Sequence, residues 1–226
     1  MNLMLVAHGT RKQRGVQIVG DLAQRVSATL GQPVHVSFVD VLGPTPSAVL
    51  ASMAVPTIVV PAFLSRGYHV TTDIPAHVAA SAHPDVTVTE ALGPGPQLVR
   101  VLADRLIESG WRRDDSVILA AAGTSDPDAR RDLHTTATWL SAITGSRVEL
   151  AFAATGLPRV PDAVAALRRR GRCRVVVASY LLSEGLFQDR LRASGADVVT
   201  EPLGTHPGLV RLIANRFRRA SVPMAA

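Results

Sequence analysis

A chain of 226 residues, 47% hydrophobic and only 4% aromatic, is long enough to bury a core as one large domain or two smaller ones, and too apolar to be disordered. Its net charge of +6 is carried almost wholly by arginine, which suits an anionic ligand; with no zinc-finger spacing or RNA-binding aromatic pair, nucleic acid is not an expected partner. The single Cys173 excludes a disulfide framework and a four-thiolate metal site, and MNLMLVAHGT is too short in apolar residues for a signal core or a membrane span, so a cytoplasmic protein away from membranes is expected.

The first apolar run, residues 3–7, has the length of a buried strand and ends at His8. Val19, Leu22, Ala23, Val26 and Leu30 then fall on one helical face. Strand-length runs follow at 34–38, 58–61 and 86–90, with a helix at 98–109. After a polar break at 110–116 the order resumes with strands at 117–121, 148–152, 175–179 and 198–201 and helices at 128–144, 162–170 and 209–219. The basic run from Arg168 to Arg174 ends a helix, where cations complement the dipole. Alternating strands and helices predict an α/β fold of parallel, doubly wound sheets, four strands each and flanked by helices.

The two halves are also related residue by residue. Leu92-Gly93-Pro94-Gly95-Pro96-Gln97-Leu98-Val99-Arg100 reads beside Leu203-Gly204-Thr205-His206-Pro207-Gly208-Leu209-Val210-Arg211, and Ala103 with Arg105 recur as Ala214 with Arg216. Ala7-His8-Gly9-Thr10 stands beside Ala121-Ala122-Gly123-Thr124, and Pro46-Ser47-Ala48-Val49 beside Pro161-Asp162-Ala163-Val164. This is an internal duplication, with homologous domains expected at 1–112 and 113–226.

In parallel sheets chemistry gathers at the carboxyl ends of strands. His8 directly follows the first strand, where Gly9 allows a tight turn and Thr10 offers an N-cap hydroxyl for the next helix. His69 lies in the loop after the third strand, ahead of the helix-start signal Asp73-Ile74-Pro75. A 2-1-3-4 strand order makes these strands neighbours, so the two imidazoles face one cleft, where they can accept protons or hold a borderline divalent metal. Asp40, just past the second strand, is a weaker candidate as a third ligand or as an acceptor orienting a histidine N–H. Arg11, Lys12, Arg14 and Arg66 make the cleft mouth cationic. In the second copy Ala122 replaces His8 and about Phe187 replaces His69, so one site per chain follows. His35, His77, His83 and His134 have no partner at ligand spacing and read as structural or surface residues, while His206 suits either a helix cap or a cleft lining. A P-loop, a complete dinucleotide fingerprint and a Gly-x-Ser-x-Gly elbow are all missing.

Ala7-His8-Gly9-Thr10, the run Val60-Pro61-Ala62-Phe63-Leu64-Ser65-Arg66-Gly67-Tyr68-His69-Val70-Thr71-Thr72-Asp73-Ile74-Pro75 and Glu201-Pro202-Leu203-Gly204-Thr205-His206-Pro207 together resemble the sirohydrochlorin chelatase family in its long, two-domain form. That resemblance implies ATP-independent insertion of Fe2+ or Co2+ into sirohydrochlorin, towards sirohaem or cobalamin. It implies His8 and His69 as catalytic and metal-binding residues, with Asp40 where the family often has Glu. Gly9, Thr10, Arg11, Arg14, Ser65, Arg66, Gly67 and Tyr68 are then expected to bind the tetrapyrrole. The metal is a substrate, so no tightly bound cofactor is expected, and two copies in one chain favour a monomer with pseudo-twofold domains. The alternative is a non-catalytic carrier of metal or tetrapyrrole.

Overall fold

The computed structural model describes residues 1–172 and 174–222; Cys173 lies outside the described residues. Two four-stranded parallel sheets are present, as the alternation of elements predicts. The first contains β1 (Asn2–Ala7), β2 (Val34–Phe38), β3 (Thr57–Pro61) and β4 (Val86–Val88) in the order β2-β1-β3-β4. The second contains β5 (Ser116–Gly123), β6 (Val148–Thr155), β7 (Val175–Tyr180) and β8 (Val198–Val199) in the order β6-β5-β7-β8. The central strands are buried on both faces, which is why they are nearly continuous runs of Leu, Val and Ile. β8 is only two residues long, shorter than its apolar run.

The helices are α1 (Gln13–Leu30), α2 (Pro46–Ala51), α3 (Ile74–Ala80), α4 (Pro96–Glu108), α5 (Pro127–Thr144), α6 (Val160–Arg169), α7 (Leu186–Arg192) and α8 (Pro207–Ala220), with a π-helical turn at His69–Asp73. On one face of the first sheet Met4, Val6 and Val59 pack with Leu50 of α2 and Ile74 of α3. In the second sheet Ile118, Ala120, Val175 and Val177 pack with Val160, Ala163, Val164 and Leu167 of α6 and Leu191 of α7.

Packing divides the chain differently from the repeats. One compact unit comprises Met1–Gly93 with Thr205–Ala226, the other Pro94–Gly204. Each repeat's last helix therefore packs in the unit built by the other repeat: α8 lies against α1 and β3, while α4 lies against α5 and β7. Arg216 of α8 donates to the Ala91 carbonyl at 3.0 Å, and Arg105 of α4, its repeat partner, donates to the Leu203 carbonyl at 3.0 Å. The sequence boundary at 112/113 marks the repeats, but the compact units change over at 93/94 and 204/205. The two helices share their apolar spacing and their arginine, so sequence periodicity cannot show which sheet each one covers.

Candidate active site

β1 delivers His8 to the carboxyl edge of the first sheet, one residue beyond its last buried position, Ala7. The chain turns at once. Asp40 N–H donates to the His8 carbonyl at 3.1 Å and Val39 N–H to the Ala7 carbonyl at 3.0 Å, so the β2 end lies tight against this turn. Gly9 has φ +96°, and a Cβ there would sit 2.2 Å from the Asp40 carbonyl oxygen. The His8 ring is exposed and its Nδ1 meets the Gly9 carbonyl at 3.1 Å. A carbonyl only accepts, so Nδ1 carries the proton and Nε2 keeps its lone pair.

The loop after β3 delivers His69. Leu92 N–H donates to the Phe63 carbonyl at 2.8 Å, and the Gly67 carbonyl accepts from Val70 and Thr71 at 2.9 and 3.0 Å, which starts the π-helical turn. The His69 and His8 ring centroids are 4.6 Å apart with planes at 89°. A metal–nitrogen bond of roughly 2.1 Å puts an ion about 3.3 Å from the centroid of an imidazole ligand, so two such ligands at a right angle have centroids about 4.7 Å apart. The observed separation is compatible with that arrangement, and it is equally that of an edge-on contact between two rings. Phe63 and Tyr68 flank the His69 ring at 5.7 and 6.2 Å.

Asp40 turns one carboxylate oxygen back to its own loop. Its carboxylate accepts from Val41 N–H at 2.7 Å, and among the described residues no group of three or more His, Cys, Asp or Glu is placed to hold a metal ion. The carboxylate that meets an imidazole is Asp73, whose Oδ2 lies 2.5 Å from His69 Nδ1. Sequence showed Asp73 only as a helix-start signal, although its i,i+4 spacing from His69 is that of neighbours on one helical face.

Thr10 does not cap α1. The cap position is Lys12, with no side-chain cap, and the Thr10 hydroxyl accepts from Lys12 N–H at 3.2 Å. Thr124 does the same for Asp126 N–H at 3.0 Å, and Gly123, at φ +112°, meets the Thr155 carbonyl as Gly9 meets Asp40. The Gly-Thr pair is thus a shared architectural device, and its histidine is what the second copy lacks. Arg11, Lys12 and Arg14 are exposed around the start of α1, which has no acidic residue in its first turn. Arg66 and Tyr68 are exposed in the His69 loop, with Ser65 and Gly67 half-buried beside them.

The corresponding edge of the second sheet is built differently. Glu184, at the spacing of Arg66 in the shared Ser-x-Gly, is buried and receives two hydrogen bonds from Arg192, at 2.9 and 2.8 Å. These bonds hold the guanidinium charged well beyond its ordinary range. Phe187 stands where His69 stands, beneath the Arg190 guanidinium at 5.7 Å. His206 caps α8, its Nδ1 accepting from Gly208 N–H at 3.1 Å. His77 bonds the Ser47 hydroxyl at 3.1 Å, and His83 accepts from Asp85 N–H at 3.1 Å, both structural placements.

The CbiX family model matches the chain twice, over residues 2–109 and 116–220. A sirohydrochlorin ferrochelatase of Priestia megaterium is 25% identical over 236 residues, covering 96% of this chain and 89% of that protein. A sirohydrochlorin cobaltochelatase from the same organism is 27% identical over 206 residues, covering 84% and 67%. Among solved structures, SirB from Bacillus subtilis with Fe3+ superposes with a TM-score of 0.85 at 22% identity, over 98% of this chain and 96% of that one.

Proposed function

The chain belongs to the CbiX family, and from that premise we propose that it inserts Fe2+ or Co2+ into sirohydrochlorin without ATP, using His8 and His69. The observation that carries this reading is the imidazole pair itself, with centroids 4.6 Å apart and each Nδ1 turned to an acceptor. Two Nε2 lone pairs are thereby free to hold an incoming ion and pass it on. They can equally accept the two pyrrole protons that metal insertion releases, one for each nitrogen that becomes an anionic ligand.

The surrounding charge supports a carboxylate-rich macrocycle. Arg11, Lys12 and Arg14 crowd the N-terminus of α1, where the helix dipole opposes cations by about 0.3–1 kcal/mol each. A fold optimised for stability alone would place acids there, as the second copy does with Asp126 and Asp128 at the start of α5. Arg11, Arg14 and Arg66 supply forked donors for carboxylates, with Tyr68 an exposed ring beside them. Gly9 and Thr10 shape the turn. The metal enters and leaves as substrate and product. Among the described residues no helix is long and apolar enough to cross a membrane.

The test is anaerobic mixing of the protein with sirohydrochlorin and either Fe(II) or Co(II), without ATP, following the tetrapyrrole absorbance. Metallation well above the protein-free rate, lost in both His8→Ala and His69→Ala, is the expected outcome. Binding of the macrocycle with no acceleration would replace this reading with that of a carrier.

A further inference from the structure

We propose that Asp73 is the positioning residue of this site: it holds the proton on His69 Nδ1 and so keeps the Nε2 lone pair presented to the metal and to the pyrrole protons. The inference rests on the metal-handling reading for its activity readout, but not for its geometry. Four observations carry it. First, Asp73 Oδ2 lies 2.5 Å from His69 Nδ1, with the two side chains 28% and 32% exposed, so water competes only partly for the contact. Second, Asp73 has helical backbone angles, φ −69° and ψ −46°, where the π-helical turn runs into α3, so it stands inside the helix with no end to cap. Among the described residues its side chain bonds only to His69.

Third, the helical turn at His69–Asp73 puts the two side chains on one face at i,i+4 spacing and closes with Ile74 N–H on the His69 carbonyl. The proline at 75 cannot donate to a carbonyl in the preceding turn. Phe63 and Tyr68 brace the ring from its sides. Fourth, the second copy loses acid and imidazole together, with Phe187 at the place of His69 and Leu191 four residues on. Leu191 is fully buried in the core. A carboxylate needed for the fold would have persisted there or left a polar successor.

An ionised carboxylate can only accept, so the His69 tautomer follows from its partner, as His8's follows from the Gly9 carbonyl. The two imidazoles reach the same tautomer by different means, one through a backbone oxygen that mutation cannot remove and one through a side chain that it can. Asp73 is therefore the point at which the donor pair can be disarmed without touching either histidine.

The experiment uses the full-length chain, metal-free and isotopically labelled, at a pH where the imidazoles are neutral, with carbon and nitrogen shifts reporting each tautomer. Co(II) affinity is measured separately by absorbance titration with the metal alone. His69 in the parent is expected to carry its proton on Nδ1; an Nε2–H signal there would overturn the proposal whatever any variant does. Asp73→Ala is expected to move the proton to Nε2 and weaken Co(II) by about 10- to 100-fold, with the His83 shifts unchanged as a control for folding. Asp73→Asn, whose amide oxygen still accepts, is expected to keep the tautomer and most of the affinity. Equal losses in the two variants would overturn the positioning role. Because these readouts use no tetrapyrrole, a parent that bound Co(II) as described but failed to metallate sirohydrochlorin would overturn the proposed function and leave the role of Asp73 standing.

Discussion

A methyl group added to Gly9 would sit 2.2 Å from the Asp40 carbonyl oxygen on a residue held at φ +96°, whereas one added to Gly67 meets nothing within 4 Å. Gly9→Ala is therefore expected to lower unfolding stability in urea by at least about 2 kcal/mol, since left-handed backbone strain of 1–3 kcal/mol adds to the clash. Gly67→Ala should unfold at the parent's midpoint, so that any change it causes in metallation belongs to the substrate. Equal midpoints for Gly9→Ala and the parent would show that the turn can relax. Both glycines stand beside the histidines in sequence and invite one explanation there. Only the pairing of β1 with β2 brings the Asp40 carbonyl against Gly9 and separates them. The meeting of the His8 and His69 rings was legible because a strand end marks its own carboxyl edge and strands 1 and 3 are neighbours in the expected order. Asp73 was passed over because it sits in a helix-start motif, although its four-residue spacing from His69 is that of neighbours on one helical face, and position past a strand says nothing about where the Asp40 carboxylate turns.

The elements that could be read from the sequence are the ones whose burial covers many residues. β1, β3, β5 and β7 are central strands with both faces covered, and α1 repeats its buried positions at Val19, Leu22, Ala23 and Val26. α2 and α7, six and seven residues long, are too short for a helical period to emerge, and tertiary packing of Leu50 and Leu191 is what makes them helical. Charge at helix starts carries further information, because there local energetics and function oppose each other. Arg14 lies in the first turn of α1, so Arg14→Glu is expected to stabilise the chain by about 0.3–1 kcal/mol at low salt through the helix dipole. The same change is expected to raise the KM for sirohydrochlorin several-fold with little effect on Co(II) binding. An unaltered KM would mean that this end of α1 does not meet the macrocycle.

The duplication was legible across the whole chain, yet the exchange of helices between its halves was not, since α4 and α8 carry the same apolar pattern and the same arginine. Residues 1–112 taken alone therefore present a specific problem. Their sheet has lost α8, which supplies Leu209, Ile213 and Phe217 to the core, while α4 keeps an apolar face of Leu98, Val99, Val101, Leu102 and Leu106 that is fully buried in the intact chain. Each such side chain left in water costs about 1.5–3 kcal/mol. The chain is held to its own sheet as far as Leu92 by the bond to Phe63, and Gly95 enters α4 in an extended conformation at φ −173° and ψ 150°. A second copy of the fragment relieves both deficits at once if each lays its α4 where α8 belonged, with Arg105 taking the Ala91 carbonyl in place of Arg216. The fragment is expected to form a dimer by light scattering, weakened by Arg105→Ala and abolished when the fragment is cut at residue 93. A folded, monomeric 1–112 would show instead that α4 can turn back across its own sheet, and that the junction at Gly93-Pro94-Gly95 does not direct the exchange.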